Sequence, residues 1–306
     1  MAKLKDLIDE VSLNLSGYTL QQDRTTHLTE AITGLTSSSA SPLIVKLGST
    51  DSVGKGTVEI DEELMWIDSF DRIANTATVA PYGRGFLGST PATHLLDSKV
   101  VISPTFPRYS IKKAINDTIA SISATLYAVK TTTFVYNPAV TTYAFNDLDI
   151  KNILTVSWQS IGPTKEWVKI RHFDFDSIAS TSAFGAGSQT ITIGDRITPG
   201  RTVKVMYSTN AVPFTDNEQE FETQTGLPDS VKDIVVLGAS YRLLTYLDPA
   251  RAGMVSPQAD ETDSKRPYGA SQSATKQLFA LYSQRLTEET RAQQQNFPIR
   301  VHYSRR

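Results

Sequence analysis

The apolar residues of this chain switch spacing four times, and that alternation restricts its possible folds more than any single motif does. Leu4, Leu7, Ile8, Val11 and Leu15 recur at helical spacing, with Asp6, Asp9 and Glu10 on the opposite side, so the first segment reads as an amphipathic helix. A second helical stretch is expected after Asp23, over His27–Ile32, ending at Gly34 ahead of a Ser-rich linker. From Leu43 to Ile102 the pattern becomes short β-branched or aromatic runs broken by Gly, Asp, Asn or Pro. Ile111, Ile115, Ile119, Ile122 and Leu126 then restore a helical stripe behind the start signal Pro107-Arg108-Tyr109-Ser110, where Ser110 is a candidate cap. Strand-like runs return between residues 131 and 213. A helix apolar around much of its girth follows Pro228-Asp229-Ser230, and Leu278, Leu281, Tyr282 and Leu286 mark the inner side of a last helix.

Helix, strand, helix, strand, helix is the order expected of an α+β chain: a helical-bundle core with an inserted small β-barrel-like module and an inserted β-sandwich domain. The boundaries expected are 1–40 for N-terminal core helices, 41–105 for the small module and 106–130 for a core helix. The sandwich covers 131–215, further core helices 216–295, and an extended C-terminal tail 296–306. A length of 306 residues fits such a division.

Composition excludes several kinds of chemistry. The chain has no cysteine, which removes disulfides, thiolate catalysis and Cys-based metal sites. A net charge of −2 argues against a general nucleic-acid binder and for surfaces that meet other protein. No apolar run is long enough for a membrane span, and Met1–Asp6 lack a signal-peptide core, so synthesis and folding in the cytosol are expected.

Each motif has a chemical reading and a plainer one. Gly83-Arg84-Gly85-Phe86-Leu87-Gly88 matches G-x-G-x-x-G, but no helix follows it, so a Gly-rich loop between strands outweighs a dinucleotide site. His172, Asp174 and Asp176 fall on one face of a strand and have metal-ligand chemistry, against the plainer reading of a wet polar face. Asp61-Glu62-Glu63 offers paired carboxylates, against an exposed turn between two strands. Asp216, Glu218, Glu220 and Glu222 form an acidic stretch suited to line a negative channel or to face a basic partner, against the plainer reading of a solvated loop. Trp66, Trp158 and Trp167 are available to stack on sugars or to fill a core. The tail sets Arg300, His302, Arg305 and Arg306 against Ile299, Val301 and Tyr303, a cationic and apolar segment suited to docking on a partner, against a frayed terminus. No catalytic, cofactor or metal residue is assigned.

Several of these segments together resemble the head-to-tail adaptor (connector, or neck) proteins of tailed bacteriophages. The residues that carry the resemblance are Val58-Glu59-Ile60-Asp61-Glu62-Glu63, then Tyr82-Gly83-Arg84-Gly85-Phe86-Leu87-Gly88-Ser89-Thr90, then His94 and Val100. The family form is an acidic stretch followed by R-G-x-x-G-T-x-x-x-H, from which Gly88-Ser89-Thr90 departs by one residue. Phe106-Pro107-Arg108-Tyr109, Leu237-Gly238-Ala239-Ser240-Tyr241-Arg242-Leu243-Leu244 and Phe297-Pro298-Ile299-Arg300 extend it. The resemblance implies a non-enzymatic structural subunit of the virion neck, made in the host cytoplasm. Such subunits form a ring, usually of twelve copies, between the portal protein and a downstream neck or tail-terminator protein, and DNA passes through without specific binding. It also implies that the C-terminal segment docks on the portal: Phe297, Pro298, Ile299, Arg300, Val301, His302, Tyr303, Arg305 and Arg306. Asp216, Glu218, Glu220 and Glu222 are then a candidate lumen lining. Two other readings remain open: another virion protein, as tail-side connector or decoration, and a carbohydrate-binding or carbohydrate-acting β-sandwich protein.

Overall fold

The computed structural model describes residues 2–17, 23–33, 41–145, 149–162, 165–179, 183–184, 189–245 and 270–299, with side chains of the last segment from residue 273. The sequence also leads one to expect an exposed loop over 253–271, rich in Gly, Ser, Pro, Asp and Lys; it lies almost wholly outside the described residues, and 300–306 of the tail lie outside them entirely. The chain mixes helix with antiparallel sheets, none closed into a barrel. It divides into two compact units, one of residues 4–117 and 236–280, the other of 1–3, 118–235 and 281–306.

Within the first unit, helix α1 (Leu4–Ser16) buries Leu4, Leu7, Ile8, Val11 and Leu15, the stripe its spacing demands. Six strands follow: β1 (Arg24–His27), β2 (Leu43–Lys46), β3 (Gly56–Ile60), β4 (Glu63–Asp71), β5 (Thr76–Val79) and β6 (Lys99–Ile102). They form one antiparallel sheet in the order β1-β6-β3-β4-β5-β2. Among the described residues its edges are joined by the single bridge Leu28–Leu47, so the barrel-like module of the sequence reading is an open sheet. Closure requires a continuous ladder between the edges, and one bridge does not supply it. Val58, Ile60, Met65, Ile67, Ala77, Val79, Val100 and Ile102 fill its core.

The helix expected over His27–Ile32 is absent. Arg24–His27 pairs instead with Ile102–Lys99, and Leu28 and Ile32 make bridges to Leu47 and His94. Thr25 and Thr26 are β-branched and fit a pleated edge better than a helix turn.

Helix α2 (Arg108–Ile122) buries Ile111, Ile115, Ile119 and Ile122, and Leu126 is buried just beyond its end. Its cap does not come from Ser110. The backbone N–H of Arg108 donates to a carboxylate oxygen of Glu59, on β3. A buried carboxylate at a helix N-terminus satisfies an orphan donor and meets the positive end of the dipole.

Among the described residues seven strands belong to the second unit: β7 (Ala128–Val135), β8 (Thr142–Phe145), β9 (Asn152–Gln159), β10 (Trp167–Lys169), β11 (Phe173–Asp176), β12 (Gln189–Ile193) and β13 (Thr202–Thr209). They form two antiparallel sheets, β10-β9-β13-β7 and β11-β12-β8. Ile153, Val156, Val203 and Val205 from the first share one core with Phe145, Ile191 and Ile193 from the second. The short helix α3 (Phe221–Thr225) follows, closed by Gly226 at φ 71, a left-handed position.

Helix α4 (Lys232–Thr245) buries Ile234, Val235, Val236, Ala239, Leu243 and Leu244, a face wide enough to be enclosed on most sides. Helix α5 (Ala270–Asn296) is different. Leu278 and Tyr282 are buried, but Leu281, expected to point inward, is exposed, and Leu286 is half-buried. The inward row continues instead through Arg285, Glu289 and Gln293. Arg285 Nε donates to Asp233 at 2.7 Å, Ser230 Oγ donates to Glu289 at 3.0 Å, and Gln293 Nε2 donates to the Tyr127 carbonyl at 2.6 Å. At about 100° per residue, Leu278, Tyr282, Arg285, Glu289 and Gln293 fall within an arc of about 80°, and Leu281 lies about 40° outside its edge.

Candidate functional site

Three residues of the acidic and glycine-rich motifs, Asp61, Arg84 and His94, gather around the carboxylate of a fourth, Glu63. Glu63 opens β4, after a two-residue turn in which Asp61 adopts φ 56. Its side chain is fully buried. Oε1 accepts from Arg84 Nε at 2.9 Å and from the Gly85 N–H at 3.1 Å. Oε2 accepts from Arg84 Nη2 at 2.6 Å and the Ala92 N–H at 2.8 Å, and lies 3.0 Å from His94 Nε2. The other His94 nitrogen, Nδ1, faces Asp61 Oδ2 at 2.7 Å. Arg84 Nη2 also donates to the Ala92 carbonyl.

Two acids and two bases thus close a ring of charge around the loop between β5 and β6. Burial alone would push the Glu63 carboxyl up, but His94, Arg84 and the Ala92 N–H hold it down at about 2. Burial likewise opposes a charge on His94, and the carboxylates of Asp61 and Glu63 outweigh it, so its pKa stands above the usual imidazole value. The expected exposed turn at Asp61-Glu62-Glu63 therefore needs correction at its third residue. Hydropathy sends an acid to solvent, whereas here Arg84 and two backbone N–H groups replace the water. With both oxygens saturated by donors, Glu63 has no lone pair left to serve as a general base.

The same loop explains the glycine motif. Gly85 and Gly88 take φ 61 and 85, and a short 3₁₀ turn spans Phe86–Gly88. A Cβ on Gly85 would come within 2.8 Å of the Ser89 carbonyl oxygen, so the loop can pass there only without a side chain. Ser89 Oγ accepts from the Leu64 N–H at 2.9 Å and fastens the loop to β4 again. His94 pairs its backbone with Ile32 in both directions at 2.8 Å.

Glu59, two residues before the turn, is a second buried acid that sequence reasoning did not single out. Burial pushes its carboxyl up to about 7, against the N–H groups of Arg108 and Tyr109 that favour its charge.

The remaining candidates do not gather into one centre. His172 lies outside β11 and sits 2.6 Å from Asp195, apart from Asp174 and Asp176, which are exposed along the strand while Phe173 and Phe175 pack on the core. Burial would raise Asp195, but the N–H of Arg171 and His172 itself hold it below the ordinary carboxylate range. In the acidic stretch, Glu218 pairs with Lys3 at 2.7 Å and Glu220 forms a backbone bridge to Lys3. Asp216 and Glu222 are exposed. Of the tail, only Phe297, Pro298 and Ile299 are described; Arg300, Val301, His302, Tyr303, Arg305 and Arg306 lie outside the described residues. The Phe297 carbonyl accepts from Tyr127 Oη, and its N–H donates to Gln293. The start of the tail is thereby fixed on the end of α5.

That anchoring frames a groove of about 1150 Å³ over the outer face of β9, β10 and β13, bordered by Gln295–Pro298. Trp158 packs toward the core, whereas Trp167 is exposed beside Lys204, whose ammonium lies 4.5 Å from the ring centre. The groove was legible only in part: Trp167, Lys169 and Arg171 alternate in the sequence, a period-two signal of one strand face.

No protein-family model matches the chain, and no curated protein matches its sequence. Among the described residues, no helix is long and apolar enough to cross a membrane.

Proposed function

We propose that this chain is a structural subunit of a tailed-phage virion neck, built to pack into a ring between the portal and the tail. The observation that carries the reading is the interlock of Glu63, Arg84, His94 and Asp61. Four of the residues that make the chain look like an adaptor meet in space, and their geometry is that of a staple with saturated oxygens and an enclosed imidazole. An active site needs a reacting group with a free lone pair and access to substrate; a subunit that holds its shape under load needs neither.

In this reading the helical segments of the chain line up with those of neighbouring copies around a pore. The six-stranded module and the two-sheet domain are insertions between those segments. Ring symmetry multiplies each modest contact, so the joint is firm without any single strong site. The tail after Asn296 docks on the portal through its apolar and cationic sides, with Phe297 held in place by Tyr127.

Cryo-EM of purified particles with an antibody against this chain is the direct test. A ring at the head–tail junction, with twelve copies expected, is the supporting result. Particles that lack the chain, or that carry it on the capsid surface or the tail tube, overturn the reading.

A further inference from the structure

The groove over the β9–β10–β13 face carries charge of one sign. Lys169 on β10 and Lys204 on β13 both pair in register with Ser157 of the strand between them. The two lysines therefore stand in one row across the sheet, their backbones about 10 Å apart at two strand spacings. Arg171 adds a third cation, and among the described residues no Asp or Glu lines the groove. Trp167, Met206 and Phe297 supply apolar and aromatic surface between the charges. Like charges held this close without a counter-charge repel each other, and an anionic partner relieves that cost.

The chain's own tail is the wrong occupant. Arg300, Arg305 and Arg306 have the sign of the groove. The same chain does carry a segment of the opposite sign. In 216–222, Glu218 is engaged by Lys3, while Asp216 and Glu222 remain exposed. Phe221 is wholly buried and α3 is closed at Gly226, so these acids are held on an ordered segment and do not have to be ordered on binding.

We infer that the groove of one subunit receives the acidic segment around Asp216 and Glu222 of the next copy. A groove on one surface and its complement on another make a heterologous contact, the kind that closes into a ring when the rotation per subunit permits. The inference rests on the ring reading above and names its subunit contact. It assigns Asp216 and Glu222 to that contact, in place of the lumen lining expected from sequence.

The test is a charge swap read by mass photometry. Lys169→Glu with Lys204→Glu reverses the groove; Asp216→Lys with Glu222→Lys reverses the segment. Each doubly substituted chain alone is expected to need at least about tenfold more protein to assemble than the wild type. An equimolar mixture of the two is expected to assemble again, because every groove then faces a segment of opposite sign. Intact folding is checked by circular dichroism, with Lys169→Gln and Lys204→Gln as milder variants should the reversals fail to fold. Wild-type rings with unaffected reversals overturn the inference and leave the ring reading standing. Rings that survive groove reversal while binding to DNA is lost show that the groove serves nucleic acid, and also overturn it. A wild-type chain that forms no ring, alone or with portal, removes both.

Discussion

Replacing Glu63 by Gln tests whether the interlock holds the six-stranded module together. The substitution keeps the shape but removes the charge and turns one acceptor oxygen into a donor. That oxygen position now accepts from Arg84 and Gly85, or from Arg84 and Ala92 with His94 at 3.0 Å. In either amide orientation a donor faces donors. Arg84, whose side chain is only 7% exposed, is left as a buried cation without its counter-charge. Breaking a buried pair from one side costs about 3–5 kcal/mol. The lowered Glu63 carboxyl agrees: held at about 2 instead of 4.5, its charged form is favoured by about 3 kcal/mol. The assay is urea unfolding followed by Trp66 fluorescence in a chain carrying Trp158→Phe and Trp167→Phe, since Trp66 reports on β4 alone. Asp68→Asn, an acid of the same strand whose pairing with Lys55 lies in solvent, is the control, with a change of about 0.5 kcal/mol. A Glu63→Gln loss below about 1 kcal/mol refutes the staple and removes the main support for the structural reading of the motif.

Glu59 gives a pH prediction of opposite sign. Its carboxyl ordinarily titrates at 4.5 and is raised to about 7 in the folded chain, so the stability it contributes is complete below pH 4.5 and is lost as the pH climbs to about 7. Glu59→Gln is expected to abolish that part of the slope in urea midpoints between pH 4.5 and 7, while the loss at lower pH, governed by Glu63, remains. Ile115→Ala removes a fully buried side chain from the α2 stripe and is expected to cost about 2–5 kcal/mol in the same unfolding assay. Truncation after Asn296 removes the Phe297 carbonyl that accepts from Tyr127, a loss of about 1 kcal/mol; on the proposed neck role the folded remainder is expected not to join heads to tails in complementation of a deletion phage. Normal infectious yield from that truncation removes the docking role of the tail.

The parts of the fold legible in the sequence are those set by local periodicity. Leu4 to Leu15 and Ile111 to Ile122 each repeat at helical spacing long enough to be unambiguous, and both are buried as expected. Arg24–Ile32 is too short for that test, and its strand pairing is decided by Lys99–Ile102, about 75 residues on. Leu281 shows the converse: an apolar residue near an inner row still faces outward, because Arg285, Glu289 and Gln293 continue that row with hydrogen bonds instead of packing. Closure of the module was not legible at all, since it depends on whether Leu28 and Leu47 extend into a ladder or stop at one bridge.

The candidate site follows the same division. Asp61, Glu63, Arg84 and His94 were visible as a motif, but a motif gives residue types and order without the contact that explains them. Glu63 and Arg84 lie 21 residues apart and Asp61 and His94 lie 33 apart, separations at which no helical or strand period operates. The physical clue was present nonetheless. An arginine between two glycines, Gly83-Arg84-Gly85, lies where the backbone comes close to other atoms, and a guanidinium pinned there needs a nearby acid. Of the three acids in the turn, Glu63 is the one that pairs across from Ile60, whose side chain is wholly buried. Directly paired residues project to the same face of a sheet, so Glu63 stands beside the core and Arg84 must come to it. The loop's path is therefore a consequence of that one buried acid, and the glycines are what let the backbone follow it.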